Sequence, residues 1–138
     1  HDYEEVGDTL YKRYTEYKDQ ILTTEVYHSG KSALANGYEY KGQPIIISEY
    51  GGIAFNNDDS GWGYGNKVNT KEDFIKRFDD ITTAVKKIPY CCGFCYTQVS
   101  DVQQEINGLM DMERNFKVEP EIIKEINERK VGYWRTFM

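Results

Sequence analysis

Between Asp8 and about Thr23, Leu10, Tyr14, Tyr17 and Ile21 recur at intervals of three and four among charged neighbours. That spacing puts them on one side of a 3.6-residue period and predicts an amphipathic helix. A clearer helix is predicted from Thr70. Thr70 suits an N-cap, Glu72 and Asp73 favour the first turn, and Phe74, Phe78, Ile81, Val85 and Ile88 mark one face ahead of Pro89. Pro120 suits the first turn of a last helix, with Ile122, Ile123, Ile126 and Tyr133 as its inner face. The helical period is lost in Ile45–Tyr50 and Cys91–Val99, short apolar runs that predict strands buried on both faces. Helix, strand, helix, strand, helix in that order implies parallel pairing through crossovers, an α/β architecture.

Polar, glycine-containing stretches separate these elements. Gly30, Asn36 and Gly37 mark one loop, residues 51–69 read as a long aperiodic loop rich in glycine, asparagine and aromatics, and Ser100–Lys117 is turn-prone. A loop as long as 51–69 inside a compact domain is usually functional or disordered. No internal repeat or low-complexity tract is visible.

At 138 residues the chain has the length of one domain. A net charge of −6 with no basic stripe argues against a nucleic-acid partner. No apolar run reaches the roughly 20 residues that a membrane span needs, and no signal-like segment opens the chain, so no membrane partner is expected. A start on His1 instead of Met suggests a processed product or a piece of a longer protein. Cys91, Cys92 and Cys95, an odd number in an apolar segment, suit reduced buried thiols, which leans towards a cytoplasmic location.

Candidate chemistry follows from the strand ends, where ligand sites of parallel α/β sheets lie. Glu49 closes the isoleucine run Ile45-Ile46-Ile47 just before Gly51-Gly52. A carboxylate in that position is partly desolvated and needs hydrogen-bond donors or a chemical task; the alternative is a structural Glu that caps or salt-bridges the strand end. After the second strand Tyr96, Thr97, Gln98, Ser100 and Asp101 replace the apolar run, a set suited to a polyhydroxylated ligand, with Trp62 and Tyr64 as stacking faces. Trp62 and Tyr64 equally fit a role in packing the loop. The Asn56, Asp58 and Ser60 spacing imitates half a calcium loop, but Lys67 stands where the bidentate Glu is required. The cysteine cluster lacks a second pair for zinc, and His1 and His28 are isolated, so no metal is expected.

Pro44-Ile45-Ile46-Ile47-Ser48-Glu49-Tyr50-Gly51-Gly52, then Gly93-Phe94-Cys95-Tyr96-Thr97-Gln98-Val99-Ser100-Asp101, then Glu105-Ile106-Asn107-Gly108-Leu109 with Asp111 and Arg114, resemble the C-terminal part of the catalytic domain of glycoside hydrolase family 2. His1-Asp2-Tyr3 resembles the end of that domain's sixth strand, so the resemblance spans essentially residues 1–138 as a single partial domain. It implies about the last third of a (β/α)₈ TIM barrel, with residues 45–50 as strand seven and 91–99 as strand eight. A whole barrel needs roughly 250 residues.

The resemblance further implies a retaining β-glycosidase acting on a β-galactoside or β-glucuronide, needing no cofactor, with Glu49 as nucleophile. Such an enzyme pairs the nucleophile with an acid/base carboxyl about 5–5.5 Å away. The family's acid/base Glu follows an Asn at the end of strand four, upstream of His1, so the isolated chain is expected to be inactive. The attacking carboxylate must be ionised, which a hydroxyl from Tyr3 or Tyr96 would favour. His1, Tyr3, Tyr96, Gln98, Asp101 and Trp62 are the expected substrate contacts. Tyr96 stands where many members have the Trp that floors the sugar subsite, and Glu105 and Asn107 are either contacts or turn-builders. The alternative function is a non-catalytic carbohydrate-binding or interaction module. Strands cut from a closed barrel leave bare edges, so a homo-oligomer paired through them is expected.

Overall fold

Thr70 caps the longest helix as its sequence predicts: its hydroxyl accepts from Asp73 N at 3.0 Å, and the helix runs Lys71–Lys87. The computed structural model describes residues 1–23, 26–28, 31–56 and 60–131. In chain order its elements are α1 (Gly7–Glu16), α2 (Lys18–Ile21), β1 (Val26–His28), β2 (Lys31–Ser32), β3 (Ile45–Gly51), β4 (Ile53–Phe55), β5 (Tyr64–Val68), α3 (Lys71–Lys87), β6 (Cys91–Thr97) and α4 (Pro120–Glu128). The first predicted helix breaks at Tyr17 into α1 and the single turn α2. Tyr133, expected on the inner face of α4, lies outside the described residues, whereas Ile123 and Ile126 are buried there.

β3 and β6 pair in parallel, with α3 as the crossover between them, so a β-α-β unit is the centre of the chain. Asp2 forms a parallel bridge to Tyr50 and its N–H donates to Glu49 O at 2.9 Å, which lays residues 1–3 along the carboxyl end of β3. Phe74, Phe78, Ile81 and Val85 of α3 are fully buried together with Tyr50, Ile53 and Leu10, and the Tyr50 and Thr82 hydroxyls hydrogen-bond at 2.9 Å. Lys86 is also buried: its ammonium donates to Ile126 O, Asn127 O and Arg129 O, so α3 caps the carboxyl end of α4.

Three expectations are corrected. β3 and β6 are not buried on both faces: Ile46 is 58% exposed, and Ser48, Cys92 and Cys95 are exposed with it. α3 packs against this two-stranded sheet and α1 and α4 pack against α3, and burial of an apolar run depends on what covers it. For the same reason only Cys91 of the three free thiols is buried. Residues 51–69 are not an aperiodic loop throughout, since β4 and β5 pair in parallel within them. Asp58, part of the calcium-like spacing, lies outside the described residues.

Candidate functional site

The Ile45-Ile46-Ile47 run extends β3, and Gly51 and Gly52 turn the chain immediately beyond Glu49. Both glycines have positive φ, 89° and 61°, which L side chains rarely adopt. A Cβ on Gly51 would collide with the Tyr96 ring and one on Gly52 with the Tyr64 ring, so aromatic rings lie directly against this turn. Glu49 is left at the rim with its side chain 37% exposed.

Two neighbours meet one oxygen of this carboxylate. The Tyr3 hydroxyl donates a short hydrogen bond to Glu49 Oε2, and His1 Nδ1 lies 3.0 Å from the same atom. Among the described residues, no hydrogen bond engages Oε1. Burial, reinforced by the hydrogen bond to Glu49 and by Tyr64, raises the Tyr3 pKa well above the ordinary phenol value, so its hydroxyl stays a donor at any working pH. The Tyr3 ring is itself stacked on Tyr64 of β5, centroids 3.5 Å apart and planes within 3°. Trp62 meets Tyr64 edge-on at 5.8 Å and is 50% exposed. Glu49, Tyr3, Tyr64 and Trp62 therefore form one continuous file leading outwards from the carboxylate. Its backbone is pinned from behind: Trp62 N donates to Gln104 O at 2.7 Å and Ile106 N donates to Trp62 O at 2.9 Å.

An open cleft of about 1040 Å³ has His1, Tyr3 and Tyr64 in its lining together with the apolar Pro44, Ile45, Ile46 and Ile47. Glu4 and Glu5 border it too, but both are engaged. Glu4 Oε2 accepts from Arg13 Nη2 at 2.8 Å; Glu5 accepts from Asn66 N at 2.7 Å and lies 3.2 Å from Arg77 Nη2.

The second strand end is built differently. The Tyr96 ring packs edge-on against Tyr50 and Phe78, and its hydroxyl donates to Asn107 O at 3.1 Å while accepting from Ile53 N at 3.3 Å. Burial raises its pKa. Of the two hydroxyls expected to reach Glu49, Tyr3 does so, and that of Tyr96 is taken up inside the fold. Gln98 Nε2 donates to Asn107 Oδ1 at 2.7 Å, and Asn107, fully buried, donates to Glu105 at 3.3 Å. Asp101 is 6% exposed; it accepts from Lys117 Nζ at 2.7 Å and from Gly108 N at 2.8 Å. Lys117 also donates to Phe55 O at 2.7 Å and Ile106 O at 2.9 Å, and burial lowers its pKa against the opposing pull of Asp101. These groups brace the loop that pins Trp62.

The structure thus brings His1, Tyr3 and Glu49 into direct contact and reaches Trp62 through Tyr64, while Tyr96, Gln98 and Asp101 hydrogen-bond inwards. Pattern reading did not foresee Arg13 and Lys117. Arg13 carries a faint signal, since it sits beside Leu10 and Tyr14 at the border of the apolar face of α1. Among the described residues no cluster of His, Cys, Asp and Glu is arranged to hold a metal ion, and no helix is long and apolar enough to cross a membrane. No family model matches the chain and no curated protein matches it, which leaves the geometry around Glu49 as the ground for a function.

Proposed function

We propose that this chain supplies the nucleophile of a retaining β-glycosidase, as the C-terminal part of a (β/α)₈ catalytic barrel resembling glycoside hydrolase family 2, with a β-galactoside or β-glucuronide as substrate. The observation that carries this reading is the asymmetry of Glu49: Tyr3 and His1 hold Oε2, and among the described residues Oε1 has no partner. A nucleophile needs that arrangement, because one oxygen must be fixed while the other remains available to bond carbon.

In the first step Oε1 bonds the anomeric carbon as the bond to the leaving oxygen breaks, and that oxygen takes a proton from a second carboxylic acid. In the second step water attacks the same carbon, gives its proton to the second carboxylate, and Glu49 departs. Glu4 and Glu5 are poor candidates for the second group, being held by Arg13 and Arg77. The proposal assigns that group to chain beyond these residues, so residues 1–138 alone should be inactive.

The test is Glu49→Ala in the protein that contains this segment, assayed on 4-nitrophenyl β-galactoside and β-glucuronide. Turnover should vanish and return in part with azide, which replaces the missing nucleophile. Hydrolysis at the unmodified rate would refute the assignment. The half-exposed Trp62 favours one alternative, a binding module that retains the sugar-facing loops. Sub-millimolar monosaccharide binding by residues 1–138 in calorimetry would support that alternative.

A further inference from the structure

Tyr3 has no helix or strand of its own to hold it, yet its hydroxyl must meet one oxygen of Glu49. The residues on either side of it answer how it is held. Asp2, whose side chain is fully buried, accepts from Arg13 Nη1 at 2.7 Å on both carboxylate oxygens, and Glu4 accepts from Nη2 of the same guanidinium at 2.8 Å. Asp2 Oδ1 also accepts from Glu4 N at 3.0 Å, and Asp2 N donates to Glu49 O at 2.9 Å. One planar fork on α1 therefore grips both flanks of Tyr3 and ties the segment to the strand that carries Glu49. An arginine suits this task because its donors diverge in a fixed plane; a lysine offers a single point charge.

We infer that Arg13 is a positioning residue for catalysis at Glu49, acting through the Asp2-Tyr3-Glu4 segment. This rests on the proposed role of Glu49. The Arg13 guanidinium bonds Asp2 and Glu4 and forms no hydrogen bond or ion pair with Glu49, so its influence has to pass through the Tyr3 hydroxyl. A misplacement of about 1 Å in such a group can lower a rate on the order of 10²-fold.

The experiment is a double-mutant cycle in the protein that contains this segment, with a 4-nitrophenyl β-glycoside as substrate. Arg13→Lys is expected to lower kcat roughly 10- to 100-fold with KM nearly unchanged, by comparison with on the order of 10²-fold for Tyr3→Phe. In the Tyr3→Phe background, Arg13→Lys should change kcat less than about twofold, because the group it positions is already gone. A purely structural Arg13 would give the same factor in both backgrounds, and that result overturns the inference. If Arg13→Lys does not fold, Glu4→Gln loosens the less buried arm of the fork and is read in the same cycle with the same two outcomes. Should Glu49→Ala abolish turnover while Arg13→Lys behaves as wild type, only this inference fails; unaffected turnover in Glu49→Ala removes the underlying reading instead.

Discussion

Two carboxylates stand at the carboxyl end of the parallel sheet, Glu49 near the end of β3 and Asp101 four residues past β6. Glu49 is partly exposed and touched on one oxygen by a phenol and an imidazole. Asp101 is buried against an ammonium and a backbone N–H, and its lysine binds two further carbonyls. From the sequence both were candidates for the site, Glu49 as nucleophile and Asp101 as a substrate contact. Each is engaged on one oxygen, Oδ1 of Asp101 and Oε2 of Glu49, so burial and partner charge separate them: Asp101 is neutralised by a buried lysine and held in the fold, whereas Glu49 is partly exposed and meets a phenol and an imidazole at the rim.

The sharpest way to break this comparison is Glu49→Gln. On the proposed reading, glycosidase activity of the protein that contains this segment should fall on the order of 10³-fold or more, with no drop in the thermal midpoint. A loss of stability at this position would place Glu49 in the same class as Asp101. The converse change, Lys117→Met, leaves Asp101 buried without its cation and should destabilise the chain by about 3–5 kcal/mol in denaturant melts. Combining it with Asp101→Asn should recover most of that loss, because the uncompensated charge goes too. No recovery would mean that the carbonyl contacts of Lys117 outweigh its ion pair.

A smaller effect concerns the tyrosines around the two strand ends. Tyr3, Tyr50 and Tyr96 all have pKa values raised, with burial as the largest cause. In the unfolded chain they ionise near pH 10, so above that pH the folded state binds more protons than the unfolded state. Their contribution to stability is complete below about pH 10 and declines as pH rises, by about 1.4 kcal/mol per pH unit for the enclosed Tyr50 and Tyr96, and by less for Tyr3, which solvent partly screens. Absorbance at the phenolate wavelength should show these three ionising only as the chain unfolds. Normal titration of all tyrosines in folded protein would contradict the burial.

Much of the frame was legible beforehand. Thr70, the Phe74-Phe78-Ile81-Val85 face and Pro120 mark helix starts and faces through local physics, and the structure reproduces α3 and the start of α4 within a residue or two. The position of Glu49 at a strand end was legible too, because the isoleucine run and the glycine pair are local signals. β4 and β5 were not, since a strand of three residues and one of five interrupted by Gly65 carry no readable period. Nor was the exposure of Ile46 and Cys92, which depends on what packs over the sheet. Arg13 is 36 residues from Glu49 in sequence, and nothing in helical spacing reports which loop its guanidinium will reach.

Lys86 has a consequence for how the chain opens. α4 has nine residues, below the roughly 12–15 at which an isolated helix becomes even marginal in water. Its last carbonyls are bonded to an ammonium rooted in α3, so fraying of α4 would strand that ammonium in the core without acceptors. The two helices are thereby coupled into one cooperative unit, and the amide protons of α4 should exchange with solvent as slowly as those in the middle of α3.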